Sequence, residues 1–187
     1  MSIYTQTYTS PVGELLLGEY NYQLCLCDWH NRPKHNAFIK RLSERAQQSI
    51  INQDTLLLQH VRQQLEEYFT GKRHKFILPL HPIGTAFQQQ VWQALRYIDY
   101  GKTSYYQQIA YNIERSNAIR AVANAIAANP LAIIIPCHRI IAKNGQLQGF
   151  AGGLNPNEQL LNLEQQYCAS SIVAFISIKN PLKQILP

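Results

Sequence analysis

Cysteine, histidine and arginine follow one another at Cys137-His138-Arg139, directly after Ile133-Ile134-Ile135-Pro136. A thiol placed after a run of branched apolar residues stands on a rigid support. Two readings compete for it. A free cysteine is commonly a small buried hydrophobe with no chemistry. Beside an imidazole and a guanidinium, the same thiol lies in an electropositive neighbourhood that favours thiolate, the nucleophilic form. On an extended chain successive side chains point to opposite sides, so His138 would reach Cys137 through a water rather than directly.

The remaining cysteines carry less. Cys25 and Cys27 share one side of a strand, and His30 is separated from them by Asp28 and Trp29. A structural zinc site normally draws on four well-spaced ligands, so no metal is expected there. Cys168 reads as structural or incidental. Reduced thiols and no cofactor are the expectation for a chain of this size without a disulfide framework.

The whole chain has 187 residues, 46% apolar and 15% charged, with a formal charge of +6. These values allow a packed core and argue against disorder. No apolar run approaches the roughly 18 residues of a membrane span, and residues 1–13 lack a basic-then-apolar signal pattern. A cytoplasmic protein without membrane association is expected. The positive charge is compatible with a polyanion, but it is spread along the chain, so any nucleic-acid contact should have a modest electrostatic component.

The elements that must hold Cys137 can be read from periodicity. Residues 3–9, 14–20 and 23–29 alternate as strands around Ser10-Pro11-Val12-Gly13 and Asn21-Tyr22 turns, which predicts an antiparallel sheet. Residues 31–53 are polar and basic with weak helical character. Leu57, Val61, Leu65 and Tyr68 mark a helix that Gly71 stops, and Pro79, Pro82 and Gly84 read as a linker. Thr85 and Gln88 form a capping box ahead of a helix carrying Phe87, Val91, Leu95 and Ile98, closed by Gly101. A short helix over 105–111 and a second over 116–128, capped by Ser116, outline a helix-turn-helix. Asn129-Pro130 ends it. Residues 131–135 read as a buried strand and Asn144-Gly145 as a hairpin turn. A glycine-rich loop at 149–153 precedes a last helix, with Asn155 as cap, Pro156 first and Glu158 third.

The stretch Pro136-Cys137-His138-Arg139 after three isoleucines resembles the active-site signature of the O6-alkylguanine-DNA alkyltransferases. The resemblance extends at constant spacing over about residues 80–167: Gly84-Thr85-Ala86-Phe87-Gln88-Gln89-Gln90-Val91-Trp92, Ser104-Tyr105-Tyr106-Gln107-Gln108-Ile109-Ala110, Arg120-Ala121-Val122, Asn129-Pro130, Gly152-Gly153-Leu154 and Glu164. It implies an alkyl acceptor at Cys137, and a base at His138 acting through a water with Glu164 behind it. It further implies that Asn129 orders the active-site turn and that Tyr106 donates a proton as guanine leaves. Arg120 would enter the duplex in place of an extruded nucleotide. Ser116, Asn117, Ala121, Asn124 and Arg139 would join it on the DNA, with the second helix in the minor groove. Phe150, Ala151 and Gly152 would line the substrate pocket.

Bond chemistry supports the same scheme. A thiolate displaces well at saturated carbon, and proton donation improves guanine as a leaving group. The thioether formed has no activated carbonyl, so one turnover per chain is expected. The substrate would be O6-alkylguanine, and O4-alkylthymine beside it, in double-stranded DNA after base flipping. Asn157 stands where several relatives carry Lys, and Phe150 where they carry Tyr, so backbone N–H groups over 150–153 would do more of the work. Gln148 replaces a smaller residue and would favour methyl over bulky adducts.

Two other functions use some of these residues. A Cys-His-Glu hydrolase shares the residue types but leaves the helix-turn-helix and Arg120 unexplained. A non-catalytic binder of alkylated DNA would not need Cys137. The resemblance implies a ribonuclease H-like α/β domain over 1–78, a linker over 79–84, a winged-helix-like domain over 85–167 and a tail over 168–187, in a monomer with no obligate protein partner.

Overall fold

The computed structural model describes residues 2–32, 35–143 and 156–179, with side chains of the last helix described through residue 169. Strands β1 (Ile3–Ser10), β2 (Gly13–Tyr20) and β3 (Gln23–Trp29) form the expected antiparallel meander. After α1 (His35–Ala46), a short β4 (Ile50–Asn52) joins the far edge parallel to β1, giving the order β3-β2-β1-β4. Sequence reading misses β4 because it has three residues and no buried one. Helix α2 (Leu56–Phe69) starts at Thr55, whose hydroxyl accepts from the Leu58 N–H at 3.2 Å, and lays Leu58, Val61, Leu65 and Tyr68 on the sheet.

The second half opens with α3 (Ala86–Leu95). Its capping box is the one the sequence predicts: Gln88 N–H donates to the Thr85 hydroxyl at 3.2 Å, and Thr85 N–H donates to the Gln88 side chain at 2.9 Å. The helix ends at Leu95, short of the expected Ile98, and Gly101 closes a later turn at φ +71°. Next come β5 (Ser104–Tyr105), α4 (Tyr106–Asn112) and α5 (Ile119–Ala127), then a 3₁₀ turn at Cys137–Arg139, β6 (Ile140–Ile141) parallel to β5, and α6 (Pro156–Lys179). The Asn144-Gly145 turn, the glycine-rich loop and the Asn155 cap lie outside the described residues.

Several expectations are corrected. Ser116 does not cap α5. The helix starts at Ile119, behind Ala118, because Ala118 N–H closes a turn onto Arg115 O at 2.7 Å and leaves Ser116 exposed in that turn. Helix α6 runs through residue 168 without a break to Lys179, so the domain boundary expected there falls inside a helix. The 79–84 segment is not a free tether: Leu24 N–H donates to Pro79 O and His81 N–H donates to Leu24 O, both at 2.8 Å, so Leu80 is bridged to the free edge of β3.

The predicted strand over 131–135 is buried but is not a strand. Only Leu131 bridges the sheet, where Cys27 N–H donates to Pro130 O at 2.8 Å and Ala132 N–H donates to Cys27 O at 2.7 Å. Beyond it the chain turns. One apolar cluster then runs through both halves, from Leu15, Leu24 and Leu65 to Trp92, Ile126, Leu131 and Leu160. Trp92 lies at its centre and donates its indole N–H to Ala125 O at 2.7 Å. The sheet therefore packs directly against the segment that carries Cys137.

Candidate active site and DNA-facing helix

Asn129 builds the turn. Its amide donates to Ile135 O at 2.8 Å, and its side-chain oxygen accepts from Leu131 N–H at 3.0 Å. This buried side chain ties off both ends of the 131–135 stretch, which pairs with the sheet only at Leu131. Inside it, Ile134 N–H donates to Ala132 O at 2.8 Å around Ile133 at φ +70°. A branched residue rarely takes that conformation, so strain is stored one turn from the thiol. Pro136 follows at φ −79° and ψ 67°, an inverse γ-turn closed by Cys137 N–H to Ile135 O at 2.8 Å. Two tight turns in series swing Cys137 to the edge of the core.

Because residues 137–139 form a 3₁₀ turn rather than extended chain, His138 points inward. Its Nε2 lies 2.8 Å from Glu164 Oε1, and both side chains are fully buried. Burial lowers the His138 pKa, with Glu164 acting in the opposite sense. Glu164 is held down to about 2: burial opposes this, but the hydrogen bonds from His138 and Arg139 and their charges outweigh it. A neutral imidazole beside an ionised carboxylate must donate from Nε2. Its Nδ1 is then the unprotonated nitrogen, and it has no hydrogen-bond partner among the described residues. That is the electronic state of a general base.

Glu164 also organises its other neighbours. It accepts from the Tyr68 hydroxyl of α2 at 2.7 Å, from Gly101 N–H at 2.9 Å, and from Arg139 Nε and Nη2 at 3.0 and 2.9 Å. Arg139 donates in addition to Ile98 O at 2.6 Å and is only 6% exposed. The expectation that Arg139 reaches DNA is therefore corrected: its charge is balanced inside the protein. The same pairing removes it as a source of positive field at Cys137.

The thiol is accordingly not held as thiolate. Burial raises the Cys137 pKa, and Asp28 adds to this, while a hydrogen bond from Asn129 and the charge of Arg32 work against it. An electropositive pocket, as the sequence suggested, is not what is found, so the proton must be removed by a base. Tyr106 opens α4, half-buried, with its pKa raised by burial and then by the neighbouring Cys137. Its phenol therefore stays protonated beside the sulfur.

Helices α4 and α5 pack together across a tight turn in which Ile113 is buried and Glu114 takes φ +58°. On α5, Val122, Ala125 and Ile126 face the core, whereas Arg120, Ala121 and Asn124 are exposed, as are Ser116 and Asn117 just before it. Ile119, at the start of the helix, is also exposed, at 39%. Phe150, Ala151 and Gly152 lie outside the described residues. Sequence reasoning missed Tyr68 and Gly101 as partners of Glu164, and Asp28 and Arg32 as charges near the thiol. Gly101 was visible only as a helix stop and Tyr68 only as part of a helical stripe.

Together these features define a two-domain protein in which an α/β unit backs a helix-turn-helix domain that carries a protonated Cys137 thiol and, after it, a neutral His138 paired with Glu164. The family model described as 6-O-methylguanine DNA methyltransferase, ribonuclease-like domain, matches residues 3–82, and that described as 6-O-methylguanine DNA methyltransferase, DNA binding domain, matches residues 86–166. A methylated-DNA–protein-cysteine methyltransferase of Haemophilus influenzae is 41% identical over 171 residues, covering 88% of this chain and 87% of the relative. The crystal structure of the Mycobacterium tuberculosis O6-methylguanine methyltransferase is 34% identical with a TM-score of 0.77, covering 92% of this chain and 99% of that one. A structure of the M. tuberculosis protein in complex with DNA is 35% identical with a TM-score of 0.73, covering 88% and 94%. The chain belongs to the 6-O-methylguanine DNA methyltransferase family.

Proposed function

We propose that this protein repairs DNA by direct reversal, moving an alkyl group, chiefly methyl, from O6 of guanine to the sulfur of its own Cys137. The observation that carries the reading is the orientation of His138, the residue after Cys137, with Nε2 committed to Glu164 and Nδ1 left as the basic nitrogen. His138 takes the thiol proton through a water. The thiolate lone pair forms the new C–S bond while the C–O bond breaks and its electrons pass to guanine. Tyr106 supplies a proton to the leaving base and is reprotonated from the histidine or from solvent. The product is a thioether, which water does not cleave, so each chain acts once.

The exposed face of α5 suits close approach to a narrow groove, since Arg120 is its one charge and Ala121 and Asn124 are small. Arg120 takes the space of the flipped nucleotide. Residues 85–167 hold these groups, and the α/β unit supplies Tyr68, whose hydroxyl donates to the same Glu164 oxygen that His138 contacts. We extend the substrate to O4-alkylthymine, and the working state to a cytoplasmic monomer on double-stranded DNA. Among the described residues no helix is long and apolar enough to cross a membrane.

Duplex DNA carrying labelled O6-methylguanine tests the reading. Stoichiometric appearance of label on Cys137 is expected, with none on Cys137→Ala. Continuous release of label into solution would instead indicate a hydrolase, and full activity in Cys137→Ala would remove Cys137 from the chemistry.

A further inference from the structure

Beside the end of α5 lies a second positively charged feature, contributed by the N-terminal half. A cleft of about 190 Å³ separates α1 from the last turn of α5 and is lined by Arg32, Arg41 and Arg45 on one side and by Asn124 and Ala127 on the other. Its floor is apolar, with Phe38, Leu42 and Ile83. Arginine stems rest well on such a floor while their guanidinium groups stay in water.

The three arginines differ in what they are bound to. Arg32 is paired with Asp28, sits 4.2 Å over the Phe38 ring and donates to Ala127 O, so it joins α1 to the recognition helix. Among the described residues Arg41 donates only to Ala37 O of its own helix, and Arg45 only to the Gln88 side-chain oxygen at 3.3 Å. Among the described residues neither is paired with a carboxylate, and both are exposed. The one acidic residue of α1, Glu44, is 3.8 Å from Lys40. Two uncompensated charges therefore lie one helical turn apart, and four residues of helix rise about 6 Å. Asn124 belongs both to this cleft and to the exposed face of α5, so the two surfaces are continuous.

We propose that Arg41 and Arg45 bind the phosphodiester backbone of the DNA whose damaged base enters the site, so that the N-terminal domain takes part in DNA binding. The partner follows from the chemistry. Two free guanidiniums suit adjacent phosphates, and the polyanion is already held by the next helix. Such contacts carry no sequence information. They set orientation on the duplex and add to salt-dependent affinity. Their position past the C-terminal end of α5 places them on one side of the lesion only.

This inference rests on the proposed function, and the experiment separates the two. Affinity for a lesion-containing duplex is measured by fluorescence anisotropy across a salt series for the wild type, Arg41→Ala/Arg45→Ala and Arg41→Lys/Arg45→Lys, with thermal melting to confirm folding. Each phosphate contact contributes about 0.9 to the slope of log affinity against log salt. The alanine variant should lose about 2 from that slope and on the order of tenfold in affinity, and the lysine variant should keep the slope. Shortening the duplex on one side of the lesion should reproduce the loss, and shortening the other side should not. A wild-type slope in the folded alanine variant overturns the proposal, as does equal loss from either end. Failure of the wild type to carry label on Cys137 would overturn the proposed function and leave the slope comparison standing.

Discussion

The imidazole of His138 and the carboxylate of Glu164 meet at 2.8 Å, Nε2 to Oε1, with neither side chain exposed. Since Glu164 stays ionised down to about 2, His138 remains the donor in this pair and its Nδ1 the acceptor. The folded protein thus binds fewer protons than the unfolded chain in two windows. One lies just below the ordinary histidine value of 6.5, where burial keeps His138 neutral. The other lies between 4.5 and about 2, from Glu164. In both, stability falls as pH falls. Urea midpoints taken from pH 7 to pH 3 should decline in two stages, and Glu164→Gln should lose the lower one. Methyl transfer should persist to a pH below 6.5, because the base protonates late; a rate already halved at neutral pH by an acid limb would contradict this.

Removing the carboxylate is predicted to be costly. Glu164→Ala leaves the Arg139 guanidinium buried at 6% exposure without its counter-ion. Breaking a buried pair in this way costs roughly 3–5 kcal/mol. Urea denaturation measures it. The paired variant Glu164→Gln/Arg139→Met should recover part of the loss, since no unpaired charge remains.

Tyr68 connects the N-terminal domain to the site through a single hydrogen bond of 2.7 Å to Glu164. Tyr68→Phe keeps the ring among Phe69, Phe76 and Tyr100 and removes only the hydroxyl. A hydrogen bond to a charged group is worth about 1.5–3 kcal/mol. We expect a loss in that range by denaturant titration, together with slower transfer of label. Unchanged transfer would show that α2 supports the fold without tuning Glu164.

Ile133 holds φ +70° three residues before Pro136. Ile133→Ala and Ile133→Gly both lose the buried side chain, but only glycine adopts that backbone freely. The glycine variant should be more stable than the alanine variant by about 1–2 kcal/mol. Equal stabilities would mean that the turn relaxes when the side chain is cut back.

Gly101 combines φ +71° with a close approach of α6: a Cβ there would stand 2.5 Å from Cys168 Sγ. Its N–H also donates to Glu164 at 2.9 Å. Gly101→Ala should therefore lower the melting temperature and slow transfer together, and adding Cys168→Ala should restore part of both by making room. Cys168, incidental by sequence, is in the structure the residue that α6 packs onto this turn.

How much of this was readable in advance differs by element. The meander strands and the Thr85-Gln88 capping box follow from local alternation and local hydrogen bonding, and both appear where their residues place them. Strand β4 and the Thr55 cap carry equally local chemistry, but one is too short and the other sits in too polar a stretch to stand out. Residues 131–135 have the composition of a strand and the burial of one, yet Asn129 binds their backbone first.

What the sequence determined alone was the set of reactive groups: one cysteine flanked by histidine and arginine, a helix-turn-helix before it and a glutamate 27 positions beyond Cys137. Those are matters of residue type and spacing. The charge state of each group was decided by the tertiary structure. Arg139 and Glu164 neutralise one another only because α6 folds back over the 3₁₀ turn. The thiol lacks a cationic neighbour from its own segment for the same reason, while Arg32 and Asp28 reach it from β3 and the residues after it. Electrostatics depend on distance and burial, which packing sets and residue order does not. Cys137 is thus held as a thiol, and His138 as a neutral imidazole whose Nε2 is occupied by Glu164.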